Sequence, residues 1–265
     1  MEDKASEDFW TNHWKELPVP KEFSPSDQRV SNFPNLEYHN VFKQIFAGRN
    51  LSQLSILEVG CANSVFLPYF KKEFGLTIYG LDYSEYGCSR EETILNEFNV
   101  EGAIIHGDMF DPPKDLMGKF DFVFSNGVIE HFENTVGAFN ALKLFLNDTG
   151  ILITAIPSMK GINGQLLKLL NKPVYDIHVP LTAKDLATAA LVSGFKKAEN
   201  QLVITPSLYI PLNEVEEVVR MRFLLNILNK FFIVTSRFFW WLQLKFNFRI
   251  RSHFFTNMII NIAHK

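Results

Sequence analysis

Residues Ser55–Ser64 read SILEVGCANS. An apolar, β-prone run, Ser55–Val59, breaks into Gly60-Cys61-Ala62-Asn63-Ser64, and a helical pattern begins near Val65. Glycine at the break lets the main chain turn sharply and come close to a ligand where a Cβ would intrude. The helix that follows offers unpaired N–H groups at its start. Small residues at a strand-to-helix turn also serve packing alone, so the surroundings decide what this turn means.

Outward from it, short β-rich runs alternate with helical ones. Strands are expected at Ser55–Val59, Thr77–Leu81, Ala103–His106, Phe120–Ser125 and Ile151–Ile156. Helices fall between them at Val65–Phe74, Glu85–Phe98 and Val136–Leu146. Gly75 and Gly150 stand just past two of those helices, where left-handed caps belong. A helix Ala183–Val192, opened by Thr182 and closed by Gly194, leads to strands Lys196–Ile204 and Asn257–Ala263. Alternation of this kind builds βαβ units, hence an α/β fold with a mostly parallel, doubly wound sheet and helices on both faces. Residues 1–50 form an aromatic lead segment carrying Phe9, Trp10 and Trp14, then a run of prolines and a helix at Asn35–Ala47. Residues 51–265 form the main domain. The gap between its last two strands is far longer than a hairpin needs, so about 206–253 reads as a helical insertion.

A chain of 265 residues suits one α/β domain. A net charge of −3 gives no sign of a nucleic-acid binder, but its distribution is uneven. From Val218 onward there is no Asp or Glu and there are eight Lys or Arg residues, which leaves −11 for the rest. Many of the 26 phenylalanines share that basic tail. On a helix of about 100° per residue, Arg222, Lys230, Arg237 and Lys245 fall within roughly 140° of one another. A basic stripe on an aromatic body describes a helix in a membrane interface. An apolar lid, a dimer face, or a roof over a lipid-linked acceptor would have the same pattern. Two cysteines, Cys61 and Cys88, make neither a disulfide framework nor a metal cluster, and the reading is a reduced, cytoplasmic protein with no metal. The amino terminus has no secretory h-region, and no uncharged apolar run reaches the roughly 18 residues of a spanning helix.

Three further motifs give the turn its context. Asp82, in YGLDYS, ends the second strand 22 residues after Gly60, where a carboxylate can accept both hydroxyls of an adenosine ribose or cap the next helix. After the third strand, His106-Gly107-Asp108-Met109-Phe110 could take an adenine amino group on Asp108 with Met109 and Phe110 over the ring, or could be a polar turn above two core side chains. The fourth strand runs FDFVFSN into Gly127-Val128-Ile129-Glu130-His131-Phe132, placing Asn126 and His131 at the carboxyl edge where open α/β sheets bind ligands.

Taken together, LEVGCANS, YGLDYS, GDMF, FDFVFSNGVIEHF and LNDTGILITAIPS resemble the class I S-adenosylmethionine (SAM)-dependent methyltransferases over roughly Leu51–Asn200 and the last strand. GLDYSEYGC and GINGQLLKLL look closest to bacterial members associated with glycan and lipid biosynthesis. The resemblance implies a seven-stranded sheet of order 3-2-1-4-5-7-6 with strand seven antiparallel, and SAM as methyl donor. It implies that Gly60, Cys61 and Ala62 line the methionine portion and that Glu58 supports its amino group. Asp82 would hold the ribose, Tyr83, Asp108 and Met109 would frame the adenine, and Asn126 would lie beside the cofactor. The usual glycine-rich turn reads here Gly-x-Ala-x-Ser, with Ala62 and Ser64 at the later positions.

SAM brings an electrophilic methyl group, so the protein must align a nucleophile with it and exclude water. For a hydroxyl acceptor a general base helps, and histidine suits best. His131 is the first candidate; a histidine bonded to backbone at a helix start is the bland alternative. His178, oriented by Asp176 on a loop leaving strand five, is the second; a solvated loop histidine is its alternative. The expected activity is O-methylation of a small or lipid-linked acceptor. Lipid carbon methylation or cyclopropanation is the rival on the same fold, since Glu130-His131-Phe132 resembles a run in cyclopropane synthases. A SAM-binding module without turnover, and a dehydrogenase, are the alternatives outside this activity; Gly-x-Ala-x-Ser argues against the dehydrogenase.

Overall fold

The computed structural model describes residues 3–209 and 219–265. Seven strands form one sheet: β1 (Ser55–Val59), β2 (Thr77–Asp82), β3 (Ala103–His106), β4 (Phe120–Asn126), β5 (Leu146–Pro157), β6 (Lys197–Val203) and β7 (Met258–His264). Their order is β3-β2-β1-β4-β5-β7-β6. β1 to β5 pair in parallel, and β7 runs antiparallel between β5 and β6. This is the topology that the resemblance implies.

The central strands are apolar on both faces because both faces are covered. Successive side chains point to opposite sides. Leu57, Val123 and Leu152 join one core with α5 (Thr135–Phe145) and α8 (Ala183–Val192). Ile56, Phe122, Phe124 and Ile153 join the other, with α2 (Phe33–Phe46) and α3 (Phe66–Phe74). Much of the phenylalanine lies in this second core, where Phe42 meets Phe70 and Phe124 edge-on at 4.8 and 5.5 Å. The chain leaves β1 and β4 for helices on opposite sides, so their carboxyl ends open a crevice.

Local signals explain most boundaries. Ser84 caps α4 (Glu85–Glu97) by accepting from Gly87 N, and Thr182 and Asp185 form a reciprocal capping box on α8. Gly75 ends α3 at φ +71°, the left-handed cap its position suggests. Gly150 does not play that part. It lies within β5, which starts at Leu146 directly after α5, and a Cβ on it would come 2.8 Å from Leu146 Cδ2 and 3.1 Å from the Phe120 carbonyl oxygen. Close packing, where the β4–β5 register shifts, explains that glycine. The lead segment supplies an unexpected helix ahead of its prolines, α1 (Glu7–Glu16), capped by Ser6. Two short helices, α6 (Ile162–Leu170) and α7 (Lys172–Asp176), stand between β5 and the loop carrying His178.

The insertion is a 28-residue helix, α9 (Val219–Phe246). One face is anchored. Trp240 stacks on Phe33 at 5.3 Å and donates from Nε1 to the Pro206 carbonyl. Buried Gln243 donates to Thr205 O and accepts from Ile250 N. Beyond the helix, Arg249 and Arg251 converge on the buried carboxylate of Glu37 at 2.6 and 2.9 Å. The opposite face is bare: Phe223, Phe231 and Val234 are 71%, 64% and 65% exposed. No described helix is long and apolar enough to cross a membrane.

Candidate active site

The crevice at the carboxyl ends of β1, β2 and β4 deepens into a cavity of about 630 Å³, within the range of small-molecule sites. Its floor is the Gly60–Ser64 turn. Gly60 has φ +75°, and a Cβ there would lie 2.6 Å from Val128 Cγ2. The residue is thus fixed by its dihedral and by the β4 loop packed against it, rather than by ligand clearance alone. Ala62 N donates to Asp82 Oδ2, and Ser84 N to Asp82 Oδ1, tying the turn to the end of β2. Asp82 thereby serves the backbone and lines the cavity at once, while capping of α4 falls to Ser84.

Under the turn lie three buried carboxyls: Glu58, Asp82 and Glu91. Ser64 Oγ donates to both oxygens of Glu58, and Ser64 N donates to Glu91 Oε2. Burial raises Glu58 to about 8, opposed by the Ser64 hydroxyl and reinforced by Asp82. Burial, then Glu58, raises Glu91 as well. Such a turn is built for a cation. The sulfonium and ammonium groups of SAM would favour release of the protons these buried carboxyls retain, whereas a pyrophosphate would oppose it. The donor set therefore fits SAM and disfavours a dinucleotide.

Glu58, Gly60, Ala62, Asp82, Tyr83, Asp108, Met109 and Asn126 all line the cavity. Cys61 is different: its side chain is buried in the second core, beneath Gly80, and it does not line the cavity. Asp108 is exposed and folds back to accept from Phe110 N, while Met109 is buried. Asn126 Oδ1 accepts from Tyr38 OH on α2. Tyr83 OH donates to Asp3 Oδ2, so the amino-terminal segment closes this end. Trp10 and Trp14 of α1 also face the cavity.

The cavity is also lined by His131 and His178, with ring centroids 4.8 Å apart. Trp10 meets the His131 ring edge-on at 5.0 Å. His131 sits in the single-turn 3₁₀ helix Ile129–His131, and its Nδ1 lies 3.0 Å from the Ile177 carbonyl. His178 Nδ1 lies 2.8 Å from the Val174 carbonyl. A carbonyl only accepts, so each ring carries its proton on Nδ1 and leaves its lone pair on Nε2. Burial pushes His131 down to about 4, neighbouring His178 adds to this, and the Ile177 and Gly127 carbonyls oppose it. Burial lowers His178 too. Asp176 does not orient His178; it pairs with Lys172 on the exposed side of α7. Beside the two histidines lies Glu130, 1% exposed, with Oε2 lacking any hydrogen-bond partner among the described residues.

Sequence reasoning passes over Glu91, Tyr38 and Asp3 as site residues. Glu91 carried a signal: it occupies an inward position of α4 in line with Gly87, Cys88, Ile94 and Leu95, where only an apolar residue would be ordinary. Tyr38 and Asp3 come from elements distant in sequence and had none. No described residue of α9 lines the cavity, so the helix is not a roof over it.

A twisted sheet of this order with a cation-adapted turn at β1 and a carboxylate ending β2 defines a SAM-dependent methyltransferase. The chain belongs to the family described as a methyltransferase domain, whose model matches residues 34–200. No curated protein matches it. Its fold is similar to that of geranyl diphosphate C-methyltransferase from Streptomyces coelicolor A3(2), crystallised with Mg²⁺, geranyl diphosphate and S-adenosyl-L-homocysteine (10% identity, 97% of each chain, TM-score 0.58). It is also similar to phosphoethanolamine N-methyltransferase 2 of Haemonchus contortus with bound SAM (15% identity, 98% of this chain and 57% of that one, TM-score 0.56). A SAM-dependent methyltransferase from Archaeoglobus fulgidus aligns at 18% identity over 86% of this chain and all of its own, with a TM-score of 0.50.

Proposed function

We propose that the enzyme methylates a hydroxyl group on a hydrophobic small-molecule or lipid-linked acceptor, and that it does so while bound peripherally to an anionic lipid surface on the cytoplasmic side. The observation that carries the first part is the pair of neutral imidazoles, His131 and His178, lining the same cavity as Glu58 and Asp82. When bound, SAM supplies the methyl group as an electrophilic sulfonium. Glu58 and the main chain of Gly60, Cys61 and Ala62 hold its methionine portion, Asp82 the ribose, and Tyr83, Asp108 and Met109 the adenine, with Asn126 alongside. The Trp10, Phe110 and Phe132 side chains exclude water and accept the apolar body of the acceptor. The hydroxyl proton leaves at the His131–His178 end.

Transfer of labelled methyl from SAM into fractionated lipid, glycan and small-molecule pools tests this reading, with a base-stable methyl ether as the expected product. His131→Ala should lower kcat by about 10²- to 10⁴-fold with SAM affinity retained. Wild-type turnover in that variant would contradict the assignment. One observation favours a second reading, carbon methylation: the buried Glu130 carboxyl, its Oε2 without a partner among the described residues, beside aromatic walls, an environment that could take a proton from carbon and face a cationic centre. A product with a new carbon–methyl bond would decide for it.

The lipid surface is supported by α9. Its outward face exposes Phe223, Leu224, Ile227, Phe231, Val234 and Phe238 among Arg222, Lys230 and Arg237, and no described carboxylate pairs with those three cations. Apolar side chains interleaved with cations complement an anionic leaflet, and a large exposed patch of this kind marks an interaction site. Full-length protein should float with vesicles containing phosphatidylserine and lose binding as salt rises. Phe231→Glu with Phe238→Glu should abolish flotation without unfolding. A salt-insensitive dimer that ignores vesicles would overturn this reading.

A further inference from the structure

Among the described residues, Glu130, His131 and His178 each place one ligand atom within 4.8 Å of the others'. The three come from the 3₁₀ turn after β4 and from the loop before α8, two segments joined by the Val179 N to Glu130 O hydrogen bond at 2.6 Å. All three line the acceptor end of the cavity. We propose that this triad is a binding site for one divalent transition-metal ion, seated by the Glu130 carboxylate and the Nε2 atoms of His131 and His178. Sequence reasoning expects no metal from the two cysteines, and this triad, divided between residues 130–131 and residue 178, follows no spacing motif.

Three observations support the assignment independently of one another. First, a glutamate that is 1% exposed with an unpartnered oxygen is a costly arrangement for a polypeptide to keep. An ion beside it removes that cost. Secondly, the other ring nitrogen of each histidine is already engaged: Nδ1 faces the Ile177 carbonyl at 3.0 Å in His131 and the Val174 carbonyl at 2.8 Å in His178. Metal-bound histidines are held in this way, with the distal N–H on a carbonyl fixing both ring orientation and tautomer. Thirdly, two imidazoles and one carboxylate form the ligand set of catalytic divalent sites that leave a position open, and here the open position would face the acceptor. Ligands about 2.1 Å from an ion lie roughly 3.4 Å apart, so the triad closes by side-chain rotations of about an ångström. Nitrogen donors select zinc, cobalt, nickel, copper or iron over magnesium, calcium and manganese.

The inference deepens the proposed function and rests on its placing of the acceptor at this end. An ion there would act as a Lewis acid on the acceptor hydroxyl, lowering its pKa so that its proton passes to water before the bound alkoxide takes the methyl group, and the two histidines would serve as ligands in place of free bases. This accounts for their burial, which makes poor bases and leaves good ligands.

The test uses full-length protein without an affinity tag, dialysed against chelator and titrated with Co²⁺ alone. One equivalent should bind with visible absorption typical of nitrogen and oxygen ligation, and Zn²⁺ should displace it. Glu130→Gln and His178→Gln should each weaken Co²⁺ binding by at least about 100-fold, while exposed His253→Gln should not. Should either variant fail to fold, wild-type protein still decides: Zn²⁺ should protect one pair of histidines from diethyl pyrocarbonate. Absence of stoichiometric binding, or binding unchanged in both variants, overturns the metal site. If the chelated protein still transfers methyl groups at the full rate, the metal site fails and the methylation reading stands; if it binds metal but transfers no methyl group to any acceptor, the reverse holds.

Discussion

Gly60 shows how a single residue is held by more than one demand. Its φ of +75° and the Val128 methyl group 2.6 Å from where a Cβ would stand both exclude other residues. Gly60→Ala should therefore destabilise the fold by about 2 kcal/mol, read as a lowered thermal midpoint, and loosen the SAM site with it. An unchanged midpoint would mean that the β4 loop yields. Glu58 gives a pH signature. Its folded-state pKa of about 8 stands above the roughly 4.3 of an unfolded chain. The folded protein thus binds the extra proton, and this carboxyl costs stability increasingly as pH rises through that window and no further above it. A cationic ligand reverses the preference. SAM affinity should tighten as pH rises toward 8, and binding near neutral pH should release protons. Calorimetry in buffers of different ionisation enthalpy measures this, and Glu58→Gln should reduce the release. At this scale the cavity lining was legible where Glu58 and Gly60 stand in one short stretch and Asp82 ends the next strand. The Cys61 side chain turns away because neighbours in a tight turn point to opposite sides, and Asp176 was misjudged because a four-residue spacing on α7 gave it to Lys172.

Among elements, the strands were legible because burial on both faces writes them as apolar runs, while α1 and the start of β5 were not. Helix α1 buries none of its own residues and is held by its cap and by Trp10 and Trp14 over the cavity, so it lacks an apolar stripe. The α9 segment was legible as a helix, but the direction of its apolar face was not, because nearly every face is apolar. Its trailing segment is pinned by Glu37, and the two sides of that pinning are unequal. Glu37 is 1% exposed, whereas Arg249 and Arg251 retain solvent. Removing both arginines strands a buried carboxylate and should cost about 3 kcal/mol, while Glu37→Gln frees two cations that rehydrate and should cost less. Denaturant midpoints of the two variants compare them directly; equal losses would mean that the Glu37 site opens to water.

On the scale of the whole molecule, a sheet of order 3-2-1-4-5-7-6 puts every recognised motif at one edge, which is why four short sequence signals sufficed to locate the cavity. The acceptor end was legible only in part. His131 and His178 could be named, but their convergence with Glu130 depends on a loop that two unforeseen helices position. The central claim is that this edge binds SAM through a carboxylate-lined turn. Equilibrium calorimetry of the full-length protein with SAM, and separately with NAD, tests it most directly. The structure predicts one SAM site, no measurable NAD binding, and a loss of about 100-fold or more in SAM affinity on Asp82→Ala, from two charged hydrogen bonds. Binding of NAD without SAM, or SAM affinity indifferent to Asp82, would contradict it.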